Sequence, residues 1–314
     1  MYFETVSIES KCEKGENMRV LLIYNPFAGH GHAKKILPKI EEAFQERGID
    51  FDLALTDYPE HSTRIAAETD FKRYDGIVAA GGDGTLFEVI NGCYQNRKKL
   101  RIPIGVLPIG TGNAFARDLG LDASNWLDAV DIIRGGKTRK VDVGRFTTHG
   151  QTYYFLNILG LGFVADVTTT ARKIKMLGNI SYTLGVLYRT ILLKSFPTRI
   201  RLDKETLERD CVFIEVSNTT YTSNFLMAPE AKIDDGYLDV TILNKVNRRR
   251  LLQAFPKVFT GDHVQLPEVE TFQAKEISIE TLDREKVLTP DGEVLGISPV
   301  EISCLKQNCG VFWK

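Results

Sequence analysis

No two cysteines in this sequence form a C-x-x-C pair. The five present, Cys12, Cys93, Cys211, Cys304 and Cys309, are scattered and odd in number. That argues against a secreted disulfide framework and against a structural zinc site, and it fits a reducing cytoplasm. No apolar run approaches the ~20 residues that span a bilayer. The opening segment, MYFETVSIESKCEKGEN, is too polar for a signal peptide and reads as a flexible lead over residues 1–17. Neither sign of charge dominates: 40 Lys and Arg against 41 Asp and Glu leave a formal net charge of -1. A global basic field for nucleic acid is thereby excluded. Histidines number only 5; His30 and His32 flank Gly31, but no third metal ligand accompanies them. Internal repeats and low-complexity tracts are absent.

What is present is an ordinary globular balance. The 314 residues suggest about two domains. The composition, 43% hydrophobic and 26% charged, is enough to bury a core without staples. The first half alternates strands with helices. Arg19–Tyr24, Asp50–Leu55, Asp75–Ala80 and Ile102–Leu107 read as strands. His32–Arg47, His61–Glu68, Leu86–Tyr94 and Trp126–Arg134 read as helices. Continuous apolar runs such as RVLLIY fit parallel strands covered on both faces, so this half predicts a doubly wound α/β domain. Beyond about Val143 the pattern turns β-rich. Strands are expected over Thr152–Leu156, Thr198–Asp203, Cys211–Val216, Tyr237–Leu243, Glu276–Thr281 and Val300–Leu305, with helices only at Ile180–Lys194 and Arg248–Phe259. A sandwich or a similar antiparallel arrangement is expected there. The expected division is a lead over 1–17, an α/β domain over 18–145, and a β-rich domain over 146–314.

Three glycine turns stand between strand and helix in the first half: NPFAGHG over Asn25–Gly31, GGDGT over Gly81–Thr85, and GTGN over Gly110–Asn113. All three fall on the carboxyl edge of the expected sheet, where open α/β folds bind ligands. Glycines there let backbone N–H groups approach phosphate oxygens, and the helix dipole favours an anion. Each turn alone is equally well a plain tight turn. No G-x-x-x-x-G-K-[ST] occurs, no G-x-G-x-x-G follows a strand, and the protein-kinase catalytic set is absent. Asp83 inside GGDGT would repel a phosphate unless a cation stood between them. Mg²⁺ held by carboxylates and phosphate oxygens answers that; an Asx turn or N-cap is the structural alternative.

The ordered set YNPFAG, AAGGDGTLFEVINGC and LPIGTGNAFARDLGL resembles the diacylglycerol kinase catalytic-domain family, which includes soluble bacterial lipid kinases, sphingosine kinases and ceramide kinases. The resemblance continues through FLNILGLGFVADV, SYTLGVLYR, APEAKIDDGYLDV and TPDGE, so it covers nearly everything from Met18 onward. It implies an NAD kinase-like first domain, ATP and Mg²⁺ as cofactors, and a lipid hydroxyl as acceptor. Asn25, the loop Gly81, Gly82, Asp83, Gly84 and Thr85, and the turn Gly110, Thr111, Gly112 and Asn113 resemble the ATP-binding elements. Asp83 and Asp142 resemble the Mg-ATP network. Asp291 resembles the general base, with Glu293 as its acidic neighbour. Lys232, Asp235 and Tyr237 match a structural Mg²⁺ site, the first and last through backbone carbonyls. Asp166 falls where sphingosine kinases recognise the head group. Relatives also return the last strand to the first domain.

One departure concerns the acceptor. Soluble bacterial members often carry Asn-Asp in the third loop, whereas this chain has Asn113-Ala114, closer to the sphingosine kinases. Diacylglycerol is the first expected acceptor, with a sphingoid base or another lipid alcohol as the alternative. An NAD kinase would need an Asn-Glu pair after the third turn, which Asn113-Ala114 and Asn125-Trp126 do not supply. An ATP-binding regulator without lipid turnover is the remaining alternative. Without the family pattern, Pro290-Asp291-Gly292 and Asp234-Asp235-Gly236 read as hairpin turns. Lys34 and Lys35 are either phosphate-holding or solvated. The expected helices at 180–194 and 248–259 set Arg189, Lys194 and three arginines beside broad apolar faces. These faces suit transient contact with an anionic membrane or merely cap the β domain. The expected location is cytoplasmic, and a homodimer is left open.

Overall fold

The computed structural model describes residues 17–96, 102–162 and 194–314. Asp166, the expected helix over Ile180–Lys194 apart from Lys194 itself, and the lead apart from Asn17 lie outside the described residues. The first half builds β1 (Met18–Tyr24), α1 (His32–Glu46), β2 (Ile49–Leu55), α2 (His61–Glu68), β3 (Gly76–Gly81), α3 (Asp83–Gln95), β4 (Ile104–Pro108), α4 (Ala114–Asp118) and α5 (Trp126–Gly135). These strands pair in parallel in the order β4-β3-β1-β2. Every residue of β3 is buried, as are Val20 to Tyr24 of β1, because helices cover both faces. All three glycine turns consequently sit at the carboxyl ends of β1, β3 and β4.

The second half builds β5 (Thr138–Thr148), β6 (Gln151–Phe155), β7 (Ile158–Gly162), β8 (Phe196–Leu202), β9 (Glu205–Ser217), β10 (Tyr221–Thr222), β11 (Phe225–Leu226) and β12 (Leu238–Asn244). α6 (Arg248–Ala254), β13 (Val269–Ala274), β14 (Glu276–Thr281), β15 (Leu288–Pro290) and β16 (Val300–Phe312) complete it. Its pairings are antiparallel. β8 buries every second residue, the signature of a strand with one face on a core. Two large apolar clusters result, one under the parallel strands and one inside the antiparallel half.

β16 joins the halves. It runs antiparallel to β14 and β5, then pairs in parallel with β4 through Val311 and Ile104. Val300 and Ile302 belong to the second core, while Val311 and Phe312 belong to the first. The Phe312 ring lies on Gly76, where a Cβ would stand 2.7 Å from its Cζ. Only Val300–Leu305 of this strand was expected. A register shift between Leu305 and Cys309, with Gln307 at φ 48°, interrupts the alternation that would have marked the rest.

The helix expected over Arg248–Phe259 is also corrected. The α-helix stops at Ala254, and Phe255–Phe259 continues as a 3-10 turn carrying Pro256 near its start. Proline has no N–H for the α-helical bond and clashes with the preceding turn. Leu251 is buried, and the Phe225, Phe255 and Phe259 rings pack together.

Candidate active site

The three glycine turns pack on one another. A Cβ on Gly29 would come within 2.8 Å of the Ile109 carbonyl oxygen, and one on Gly110 within 2.7 Å of the Gly82 nitrogen. Gly110 donates its N–H to the Gly81 carbonyl, and Ile109 does the same. Asn25 Nδ2 donates to Thr85 Oγ1 at 3.2 Å, linking the first loop to the second. Asn113, in the left-handed region at φ 52°, closes the third loop by bonding both the N–H and the carbonyl of Gly110. Glycine is thus required here first for loop-to-loop contact. The Gly110 N–H is already committed within the loops, and the Thr85 N–H bonds the Gly82 carbonyl, so a phosphate must be met by other amides at the start of α3.

Asp83 is the first residue of α3, so the N-cap alternative falls to Gly82. The Asp83 carboxylate reaches across instead. Its Oδ1 accepts the Ala114 N–H at 2.7 Å, and a Cβ on Gly112 would sit 2.6 Å from its Oδ2. Burial pushes its titration up to about 6, against backbone donors that pull it down.

Asp291 and Glu293 approach the same loop from the other half. Asp291 stands at φ 46° just after β15, with its N–H on the Ile158 carbonyl. Three successive N–H groups, of Leu156, Asn157 and Ile158, donate to its carboxylate at 3.2, 3.0 and 2.9 Å. Burial nonetheless pushes it up to about 7, and the charge of Asp83 adds to the shift. Glu293 lies over Gly84, where any Cβ would collide with its carboxylate. Asp83, Asp291 and Glu293 therefore gather at the start of α3.

Asp142 is placed elsewhere. Its two oxygens accept the Gly236 and Gln307 N–H groups, each at 2.6 Å, while its own N–H bonds the Ile233 carbonyl. Burial raises its pKa, and the charges of Asp235 and Asp234 raise it further. The structure thus gathers Asp142 with the Asp234–Tyr237 turn, and Asn218 Nδ2 bridges its carbonyl to that of Leu156. In that turn Asp235 accepts the Tyr237 N–H at 2.9 Å and Lys232 is exposed. Among the described residues no three His, Cys, Asp or Glu side chains gather closely enough to hold a metal alone. A cation at Asp83 would take its remaining ligands from phosphate oxygens and water.

Glu215 was read only as a strand residue. It is fully buried, its Oε1 accepts the Thr222 and Ser217 hydroxyls at 2.6 and 3.3 Å, and among the described residues its Oε2 has no partner. Burial pushes it up to about 7. A lone Glu in the apolar run CVFIEVS was the only signal. Thr222 belongs to the β10-β11 hairpin, which leans on α4: Thr220 Oγ1 donates to Asp118 Oδ1 at 2.7 Å and Arg117 Nη2 to Asn224 Oδ1 at 2.6 Å.

A parallel sheet with packed glycine loops on its carboxyl edge, joined to an antiparallel half that faces them with acids, defines a phosphotransferase. More closely, the chain belongs to the diacylglycerol kinase catalytic-domain family and is a lipid kinase. Residues 19–146 match the diacylglycerol kinase catalytic domain, and residues 157–312 match the YegS C-terminal NAD kinase beta sandwich-like domain. The chain is 31% identical to "Diacylglycerol kinase" of Bacillus subtilis, over 93% of this chain and 95% of that one. It is 27% identical to "Sphingosine kinase 1" of Arabidopsis thaliana, over 92% of this chain and 71% of that one. A solved structure of a diacylglycerol kinase from Bacillus anthracis str. Sterne superposes with a TM-score of 0.69 at 27% identity, covering 96% of this chain and 98% of that one. No helix among the described residues is long and apolar enough to cross a membrane. The family's reaction takes ATP as phosphoryl donor and typically a divalent metal.

Proposed function

We propose that the chain transfers the γ-phosphoryl group of ATP to the free hydroxyl of diacylglycerol, giving phosphatidic acid and ADP. The observation that carries this reading is the Asp291 carboxylate, buried beside Asp83 and held by three backbone N–H groups at the edge of the glycine loops. Those donors orient the carboxylate toward a single role, and its titration near neutrality suits a proton acceptor. As the hydroxyl oxygen bonds the γ-phosphorus and the bond to the ADP oxygen breaks, the hydroxyl proton passes to Asp291. The glycine loops hold the phosphates, and Glu293 orients the site over Gly84. The residues fit Mg²⁺ at Asp83, where a carboxylate beside a phosphate loop needs a cation; bound there, Mg²⁺ neutralises charge on the phosphates. A second cation at Lys232, Asp235 and Tyr237 would be structural. In this reading residues 18–145 bind ATP and residues 146–314 bind the lipid.

The acceptor is met at a membrane surface of the cytoplasm. Leu252 and Phe259 are 43% and 51% exposed beside exposed Arg248 and Arg249, an arrangement that suits an anionic interface. The test is phosphate transfer from labelled ATP to diacylglycerol, monoacylglycerol, sphingosine, ceramide and phosphatidylglycerol in mixed micelles, with and without a Mg²⁺ chelator. Labelled phosphatidic acid that disappears with the chelator supports the reading. ATP binding with no labelled lipid at all overturns it in favour of a regulator. A sphingoid base is the second reading, supported by the Arabidopsis relative and by Asn113-Ala114, and labelling of sphingosine alone would select it.

A further inference from the structure

The β10-β11 hairpin reaches across from the second half to the third glycine loop. Tyr221 pairs with Leu226 and Thr222 with Phe225, which leaves Ser223 and Asn224 as a two-residue turn. The side chains around that turn fasten it. Thr222 Oγ1 donates to Glu215 Oε1 at 2.6 Å, and Thr220 Oγ1 to Asp118 Oδ1 at 2.7 Å. Arg117 Nη2 donates to Asn224 Oδ1 at 2.6 Å, and the Arg117 guanidinium lies 6.0 Å from the centre of the Tyr221 ring. Ser223 is the side chain that this anchored turn presents to the loop. Its backbone stands at φ 55°, in the left-handed region, at a turn position that glycine usually fills. A non-glycine residue held there costs stability, and such residues cluster where ligands are clamped.

The point where a Gly112 Cβ would stand lies 3.8 Å from Ser223 Oγ and 2.6 Å from Asp83 Oδ2. Apart from the Asp83 carboxylate, no atom beyond the chain neighbours of Gly112 comes nearer to that point than 3.8 Å. Glycine therefore leaves it vacant. Gly82, Gly112 and Ser223 are half-exposed and Thr111 is exposed, so the vacant point opens toward solvent rather than into a core. A hydroxyl and a carboxylate thus face one open place from opposite halves of the chain. A bare anion would be repelled by Asp83. A cation-bound phosphate suits both groups: the carboxylate faces the cation, and the hydroxyl donates to a phosphate oxygen. Asp83, Asp291 and Glu293 gather at the start of α3, so the phosphate held there is the terminal one, which has to pass to the hydroxyl at Asp291.

We propose that Ser223 is a further phosphate ligand of the kinase site, its hydroxyl donating to an oxygen of the terminal phosphate of ATP. The second half then supplies a donor to the nucleotide as well as the proton acceptor. This rests on the reading above that the glycine loops hold the phosphates of ATP, and the test separates the two. Binding of Mg-ATP and of Mg-ADP to the full chain is measured by calorimetry, beside thermal unfolding without nucleotide. Ser223→Gly removes the hydroxyl and eases the left-handed backbone. It is expected to melt no lower than wild type, yet to bind Mg-ATP at least about 10-fold more weakly, with Mg-ADP affinity within about 2-fold. Ser223→Ala keeps the backbone strain and is expected to show the same split between the two nucleotides. A merely structural turn residue gives a different pattern in Ser223→Gly: both affinities unchanged, or a lower melting temperature with both affinities reduced together. Either result overturns the proposal, and so does an equal loss for Mg-ATP and Mg-ADP, while wild-type binding leaves the ATP reading intact. Wild type that binds neither nucleotide sinks the ATP reading and the proposal together.

Discussion

Asp83 Oδ1 accepts the Ala114 N–H at 2.7 Å, so the helix that starts on the second glycine loop is pinned to the helix that starts on the third. One carboxylate thereby has two separable duties, a hydrogen bond and a charge. Asp83→Asn keeps an acceptor oxygen and removes the charge. Its melting temperature is expected to stay within a few degrees of wild type, while Mg-ATP affinity in calorimetry falls at least about 10-fold. Asp83→Ala is expected to lose both. Undiminished Mg-ATP affinity in Asp83→Asn would refute the cation role.

Asp291 has to be ionised to accept a proton, and burial pushes it up to about 7. Activity under kcat/KM conditions is expected to rise with pH through about 7 and to level off above it. Asp291→Asn is expected to lower kcat at least ~100-fold, the lower end for a general base, with ATP affinity little changed. A pH profile flat from 5 to 8, or an active Asp291→Asn enzyme, would remove Asp291 from the role.

Glu215 makes the pH dependence of folding measurable apart from catalysis. Its folded-state titration is raised from 4.5 to about 7, so folded and unfolded chains both hold the proton below 4.5 and stability is fullest there. As pH rises toward 7 the unfolded chain ionises and the folded one resists, so stability falls. The loss approaches about 3 kcal/mol at most by the scale of one unit per 1.36 kcal/mol. Asp83 and Asp291 act with the same sign. Urea midpoints for Glu215→Gln are expected to decline less between pH 5 and 8 than those of wild type; parallel curves would contradict this.

Gly110→Ala tests the packing of the loops. The new Cβ meets backbone atoms of Gly82, which cannot rotate away. Destabilisation of about 1–3 kcal/mol is expected from the overpacking, together with weakened ATP binding. A variant as stable as wild type would show that the loops part easily.

Much of this was legible in the sequence where the physics is local. RVLLIY and DGIVAA are continuous apolar runs because β1 and β3 are covered on both faces, and the glycine turns between strand and helix marked the sheet edge. What was missed depends on long-range partners. TRKVDVGRFTT shows neither alternation nor an apolar run, yet it is the eleven-residue strand β5, shaped by the ring of Phe155 over Gly144 and by its pairing to β16. Asp142 was placed with Asp83 in the Mg-ATP network by the family resemblance. Its commitment to Gly236 and Gln307 spans 94 and 165 residues, which no local pattern reports. β7, β13 and β15 were missed for the same reason: short strands are defined by the neighbours they pair with.

Phe312→Ala tests the joint between the halves. Its ring is buried against Gly76, and deletion is expected to cost about 3–5 kcal/mol. Calorimetry should show one transition moving down as a unit. Two separate transitions in the variant would mean the halves are stable without the joint.

The strand that carries Phe312 also imposes an order of events on synthesis. β16 leaves the ribosome after β4, β5 and β14, all of which wait for it. Until it emerges, those strands present unpaired edges and both cores lack side chains, which is the condition that invites edge-to-edge association. Completion of the fold therefore waits for β16, and a message that stops short of β16 yields a chain for proteases rather than a weaker kinase.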